Sequence, residues 1–252
     1  MKFSFVLAAA LLSAQPQFEV ASIKPNPPAG VSTGMVQFLP GGRLTAQQVL
    51  LRFFIQSAYD LRPFQILGAP DWINSAGYDV EAKAEGDARP DQMRLMMQKL
   101  LEDRFKMKAH RETREMPVYE LGAAKSGLKL PEPKEGTCTS EPCGRAIVRI
   151  GRFGDVQIRG EKIGMGELTR ILTNLLGRTV IDKTGFTGVF DLQLAFALDD
   201  ALAGLPQPPG PPRETSQPSV FVAVAELGLK LESAKGPVEV LVIDHVEKPS
   251  PN

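Results

Sequence analysis

Tyr78-Asp79-Val80-Glu81-Ala82 and Phe190-Asp191-Leu192-Gln193-Leu194 are two versions of one phrase, an aromatic residue, an aspartate, then alternating apolar positions. The alternation predicts a half-buried strand in each place. The segments after the two phrases also recur. An amphipathic stretch leads to Phe105-Lys106-Met107-Lys108 and Met116-Pro117-Val118-Tyr119-Glu120-Leu121 in the first half. In the second half the same place is taken by Leu229-Lys230-Leu231-Glu232 and Gly236-Pro237-Val238-Glu239-Val240-Leu241. Each pair predicts a hairpin, and the whole predicts a duplicated scaffold. A scaffold names no chemistry.

Working outward, Phe18–Ile23 alternates as an opening strand, and Met35–Leu39 with Arg43–Ala46 flanks the turn Pro40-Gly41-Gly42. Val49–Tyr59 carries Leu50, Phe53, Phe54 and Ala58 at helical spacing and predicts a buried helix. Asp91, after Pro90, opens a helix with Met93, Met96, Met97, Leu100 and Leu101 on one face. That spacing assigns the methionines to the core before it suggests an adaptable binding surface. Val156–Arg159, a helix over Met165–Leu176, strands at Thr179–Asp182 and Gly188–Phe196, and a short helix over Val220–Leu227 complete the second half. The expected fold is α+β: a duplicated β-α-β plus α-β-β unit, its sheet antiparallel or mixed, with helices on one face.

The expected organisation is a signal peptide over 1–14, a first repeat over 15–130, a linker over 131–144 and a second repeat over 145–252. The second repeat holds a Pro-rich excursion, 205–218, that cannot pack as helix or sheet. The signal rests on Lys2, the apolar run Phe3–Leu12 and the small pair Ser13-Ala14. The run is shorter than the roughly 20 residues a membrane span needs, so stable membrane insertion is not expected. The expected location is outside the cytoplasm, periplasmic or extracellular.

Formal charge is zero, with 29 basic and 29 acidic residues, which argues against a dedicated nucleic-acid binder. Only two cysteines occur, Cys138 and Cys143, and four residues separate them. In an oxidising compartment a small disulfide is the default, with free thiols and a metal site as alternatives. Zinc needs four ligands, or three and a water, and His110 and His245 are the only histidines. Neither a metal nor a cofactor is expected.

Several phrases in fixed order resemble those of a family. They are Phe18-Glu19-Val20-Ala21-Ser22-Ile23-Lys24-Pro25, Gly68-Ala69-Pro70-Asp71-Trp72 and Tyr78-Asp79-Val80. Arg104–Glu112, Met116-Pro117-Val118-Tyr119, Val180–Gly185 with Gly188–Asp191, Leu227–Glu232 and Val242–Pro249 continue the series. Together they resemble an uncharacterised exported bacterial domain of unknown function, expanded in soil bacteria and also fused to sensor-type membrane metallopeptidases. The resemblance brings no established activity and no catalytic residues. Its fusion partners imply a sensory or signalling setting.

Candidate site residues come from weaker signals. Trp72, the only tryptophan, would anchor a partner if exposed and pin a turn if buried. Arg111, Glu112 and Arg114 belong to a mixed-charge run, Arg111–Glu115, expected at the tip of the first hairpin, where the simple expectation is a solvated loop. His110, beside Arg111 and Arg114, is expected to stay neutral. Gly30-Val31-Ser32-Thr33-Gly34 fits a hydrolase pattern with His245 far downstream. That chemistry needs the serine on a strand-to-helix elbow, and prolines precede it here with no plain helix after it. The favoured function is therefore a non-enzymatic module that binds a protein, peptide or envelope component. The alternative is an exported hydrolase with an unrecognised site.

Overall fold

Residues 16–27, 34–134, 144–151, 155–197 and 217–249 are described by the structure, a computed structural model. Its strands and helices run β1 (Val20–Pro25), β2 (Val36–Leu39), β3 (Arg43–Leu50), α1 (Leu51–Tyr59), β4 (Ile66–Leu67), β5 (Gly77–Lys83), α2 (Pro90–Phe105) and β6 (Lys108–Ala123). They continue β7 (Ala146–Ile150), β8 (Asp155–Gly164), α3 (Met165–Leu176), β9 (Val180–Lys183), β10 (Val189–Ala197), α4 (Val220–Glu226) and β11 (Leu229–His245). The order β2-β3-α1-β4-β5-α2-β6 recurs, type for type, as β7-β8-α3-β9-β10-α4-β11. The fold is α+β, as the two strand phrases predict.

The chain divides into two compact units, Met1–Glu112 with Val240–Asn252, and Thr113–Glu239. The dividing points fall inside β6 and β11. Most of the expected linker, residues 135–143, lies outside the described residues.

In the first unit an antiparallel sheet runs β1-β5-β3-β2. Alternation puts Leu44 and Ala46 of β3 and Tyr78, Val80 and Ala82 of β5 into the core. Helix α1 buries Leu51, Phe54, Ile55 and Ala58, the i, i+3, i+4, i+7 stripe of an amphipathic helix. It ends at Asp60, in the left-handed region at φ 52°. Helix α2 starts with Pro90 at its first turn and buries Met93, Met97, Leu100, Leu101 and Phe105. The methionines are core residues, and Phe105 meets Tyr78 edge-on, ring centroids 5.2 Å apart. Each fully buried large apolar side chain contributes on the order of 1.5–3 kcal/mol. The end of β11 joins this unit as a parallel partner of β4, Leu241 opposite Ile66.

In the second unit an antiparallel sheet runs β10-β8-β7. Helix α3 buries Leu168, Ile171, Leu172 and Leu175 on one face and stops at Gly177. Strand β9 is the parallel partner of β6, Tyr119 opposite Val180. Asp182 turns the chain after it, its carboxylate accepting the Thr184 backbone N–H at 2.8 Å. Gly228, at φ 69°, sits against the backbone of Gly127 and Lys129, where a Cβ would lie 2.7 Å from the Lys129 nitrogen. Only glycine meets both demands there.

The recurring aspartate has a structural job in each unit. In β3 the register shifts between Ala46 and Val49, and Gln48 takes φ 47°. Asp79 accepts the Gln48 N–H at 2.8 Å and the Asn26 amide at 2.8 Å. In β8, Lys162 takes φ 50°, and Asp191 accepts its N–H at 3.0 Å and that of Lys134 at 3.1 Å. The Lys162 and Lys134 N–H groups hold the Asp191 carboxyl below its ordinary value. Each bulge comes just before a strand passes without a loop into a helix, β3 into α1 and β8 into α3.

Two expectations are corrected. Arg104–His110 and Val118–Ala123 do not form a hairpin; residues from Lys108 to Ala123 are one 16-residue strand, β6. Leu229–Val246 is likewise one strand of 17 residues to His245, β11. Their pairing is long-range, in the order β4-β11-β6-β9, so neither strand needs a local partner. Arg111, Glu112 and Arg114 consequently stand within a strand and not at a hairpin tip. Strands β4 and β7 were not anticipated, the first being two residues long and the second exposed along most of its length.

Candidate binding groove

Strand β2 pairs only with β3 among the described residues, which leave its other edge unpaired. A groove of about 490 Å³ opens in the first unit among residues of β2, α1 and α2. Val36 and Phe38 come from β2, Phe53, Gln56 and Ser57 from α1, Asp60 and Arg62 from the turn after it, and Arg94 from α2. Met35 (68% exposed) and Phe53 (38%) put apolar surface at the groove although nothing in the core requires it. The stripe Leu51, Phe54, Ile55, Ala58 leaves Phe53 off the buried face, contrary to its expected place in the core.

The polar groups are unusual. Among the described residues, Gln56 Nε2 and Arg94 Nε are buried with no hydrogen-bond partner. A buried unmade donor costs about 1–3 kcal/mol. The Arg94 guanidinium sits 5.9 Å from the centre of the Phe38 ring, a cation–π distance. Its Nη2 is 3.8 Å from the Asp60 carboxylate, an ion pair too long for a hydrogen bond. Phe38 thus gives the groove an aromatic wall, while the two nitrogens themselves have almost no exposed surface.

A second, shallower hollow of about 460 Å³ lies by Tyr59, Glu102, Lys106, Lys108 and Asp244. His110 Nδ1 is 2.9 Å from the Asp244 carboxylate, and Nε2 is 3.7 Å from Glu112. The hydrogen bond to Asp244, with Glu112 adding, raises the His110 pKa against a smaller burial effect. The downward pull expected from the neighbouring arginines is therefore corrected to an upward one. A carboxylate in hydrogen-bond contact outweighs cations on adjacent positions. Burial, with Glu102 adding, pushes the Tyr59 hydroxyl up, and Arg111 opposes this with its guanidinium 6.0 Å from the ring centre.

The anticipated residues scatter. Arg111 and Glu112 gather beside Tyr59 and His110, Arg111 Nη2 donating to the Tyr59 carbonyl at 3.5 Å. Trp72 is partly buried against the core elsewhere in the first unit, its ring 5.8 Å from the Lys248 ammonium. Arg114 is exposed in the second unit. None of the four lines the groove. Ser32, Cys138, Cys143, the signal segment and the Pro-rich stretch up to residue 216 lie outside the described residues. His245 bonds Glu247 at 2.8 Å. Among the described residues no cluster of three or more His, Cys, Asp or Glu is arranged for a metal, and no helix is long and apolar enough to cross a membrane. Sequence reasoning missed Gln56, Arg94 and Phe53. The available signal was Phe53 falling off the apolar stripe of α1.

Residues 52–246 match a family described as "Protein of unknown function (DUF3738)". The chain belongs to that family. In this DUF3738 chain the match takes in α1 and α2 and hence Gln56, Arg94 and Phe53, whereas β2 precedes it. No curated protein and no solved structure matches the chain.

Proposed function

We propose that the chain is an exported, non-enzymatic binding module of the cell envelope, which takes an extended peptide along the free edge of β2. Strand addition uses the unpaired N–H and C=O groups of a sheet edge for affinity and a neighbouring pocket for side-chain choice. The observation that carries the reading is the groove beside that edge, at which Met35 and Phe53 expose apolar surface. Its lining favours binding over catalysis: Ser57 is the sole hydroxyl, and no histidine stands with it. Lys2 and the apolar run Phe3–Leu12 support export.

The test is panning a displayed random-peptide library against the purified chain and against Phe53→Asp. Enriched peptides that bind the parent and lose the variant, with backbone amides of β2 gaining hydrogen-exchange protection, are expected. Peptides that bind both proteins equally, or no enrichment, would sink the reading.

A further inference from the structure

We infer that β7, in the second unit, is a docking edge for an extended segment of a partner protein that carries acidic side chains at alternate positions. The site is independent of β2, and either can stand if the other fails.

The register fixes which backbone groups this edge offers. Gly151 donates its N–H to the Asp155 carbonyl at 2.7 Å. Odd-numbered residues of β7 are therefore bonded to β8, and the backbone groups of the even-numbered ones turn outward. The outward Ala146 N–H is taken by the Glu167 carboxylate at 3.1 Å. Among the described residues the outward groups of Val148 and Ile150 have no partner. Ile147 is 65% exposed and Ile150 51%. Open backbone groups flanked by exposed apolar side chains are a template for one more strand.

Charge selects the occupant. Ile147, Arg149, Gln157 and Arg159 share the outer face of the sheet and line a hollow of about 60 Å³, the room of about two waters or one carboxylate. Arg149 and Arg159 are exposed, and among the described residues neither forms an ion pair, not even with Glu161 on the same face of β8. The fold does not require them. With the bulges at Gln48 and Lys162 aligned, their places in the first unit are held by Leu39 and Thr45. A second copy pairing β7 with β7 would gather four guanidinium groups on one face, and like charges across a ladder are destabilising. An acidic strand brings the opposite sign. Its residues opposite Ile147 and Arg149 are two apart and fall on the arginine face, and the residue between them falls beside Val148.

The experiment is an NMR titration of the ¹⁵N-labelled chain, read at the amides of Val148 and Ile150. Three probes are used: the peptide acetyl-Thr-Val-Glu-Val-Glu-Val-Thr amide, the same peptide with glutamine for glutamate, and the same with lysine. The glutamate peptide is expected to shift both amides, glutamine to weaken binding about tenfold or more, and lysine to abolish it. Arg149→Gln combined with Arg159→Thr is expected to erase the preference for glutamate over glutamine. Val148→Pro, tolerated on an edge strand whose N–H faces outward, is expected to lose the glutamate peptide and keep the thermal midpoint of the parent.

Equal affinity for the glutamate and glutamine peptides would overturn the acidic partner and leave the arginines as a guard against edge pairing. Glutamate-peptide binding that survives Val148→Pro would reduce the contact to surface charge and overturn strand addition. Shifts confined to Val36 and Phe38 of β2 would overturn the β7 site and favour the reading at β2. Concentration-dependent shifts at Val148 and Ile150 in the chain alone would seat a second copy there and overturn the peptide. No response to any probe at about 1 mM would overturn the site.

Discussion

Asp79 Oδ1 accepts the backbone N–H of Gln48 at 2.8 Å and thereby pins a residue whose φ is 47°. The second unit repeats the relationship with Asp191 and Lys162 at 3.0 Å. A non-glycine residue at positive φ is strained, and an unpaired N–H at a bulge would go without a partner. One carboxylate resolves both problems. It explains why an aspartate comes after the aromatic residue in both strand phrases.

Asp79→Ala is accordingly expected to destabilise the first unit by about 1–2 kcal/mol, and Asp79→Asn by less, since the amide oxygen still accepts. Urea unfolding checks the order. Equal losses for the two variants would mean that the carbonyl-type oxygen is not what holds Gln48.

His110 gives a pH dependence with a definite sign. Its folded pKa is raised by Asp244 first and Glu112 second. Its contribution to stability is therefore full below the unfolded imidazole value and is lost as pH rises through the folded value. Over the window that opens at the ordinary imidazole value and runs upward, the parent should lose stability relative to His110→Gln, measured by denaturant unfolding at each pH. A difference that stays flat across that window would count against the ion pair.

Gly228→Ala places a Cβ against Gly127 and Lys129 at a residue held at φ 69°. Backbone strain and the clash should together cost about 2 kcal/mol or more, read as a lowered thermal midpoint. Because Gly228 O and Leu227 O accept from Ala124 and Lys129 at 2.9 Å each, exchange protection at those two amides should fall with it.

Gln56→Leu replaces a buried donor to which the described residues give no partner by an apolar group of similar reach. The variant should be more stable than the parent by about 1 kcal/mol, read by denaturant unfolding. A stability loss would show that the amide is satisfied.

Much of the local structure was legible in sequence because periodicity is a local property. Helix α3 spans Met165–Leu176, where the apolar spacing put it, and the phrases around Asp79 and Asp191 are strands β5 and β10. The groove was less legible. Phe53 lies one position off the buried stripe of α1, and a single off-stripe apolar residue is too common on protein surfaces to mark a site. Arg94 belongs to a helix far along the chain from Gln56, and nothing in either stretch reports that both nitrogens are buried.

Alternation in Val118–Ala123 and in Leu229–Glu232 reported strands there, since side-chain direction in a strand depends only on neighbouring residues, whereas Arg111–Glu115 was expected as a loop at a tip. Alternation did not determine the strands' partners, and two hairpins were expected where each segment is one long strand. Strand pairing is a choice among edges contributed by distant parts of the chain, and tertiary structure alone made it. The same long-range packing brought α1 and α2 against β2, whose outer edge the described residues leave unpaired, and made a groove of residues that are ordinary in sequence.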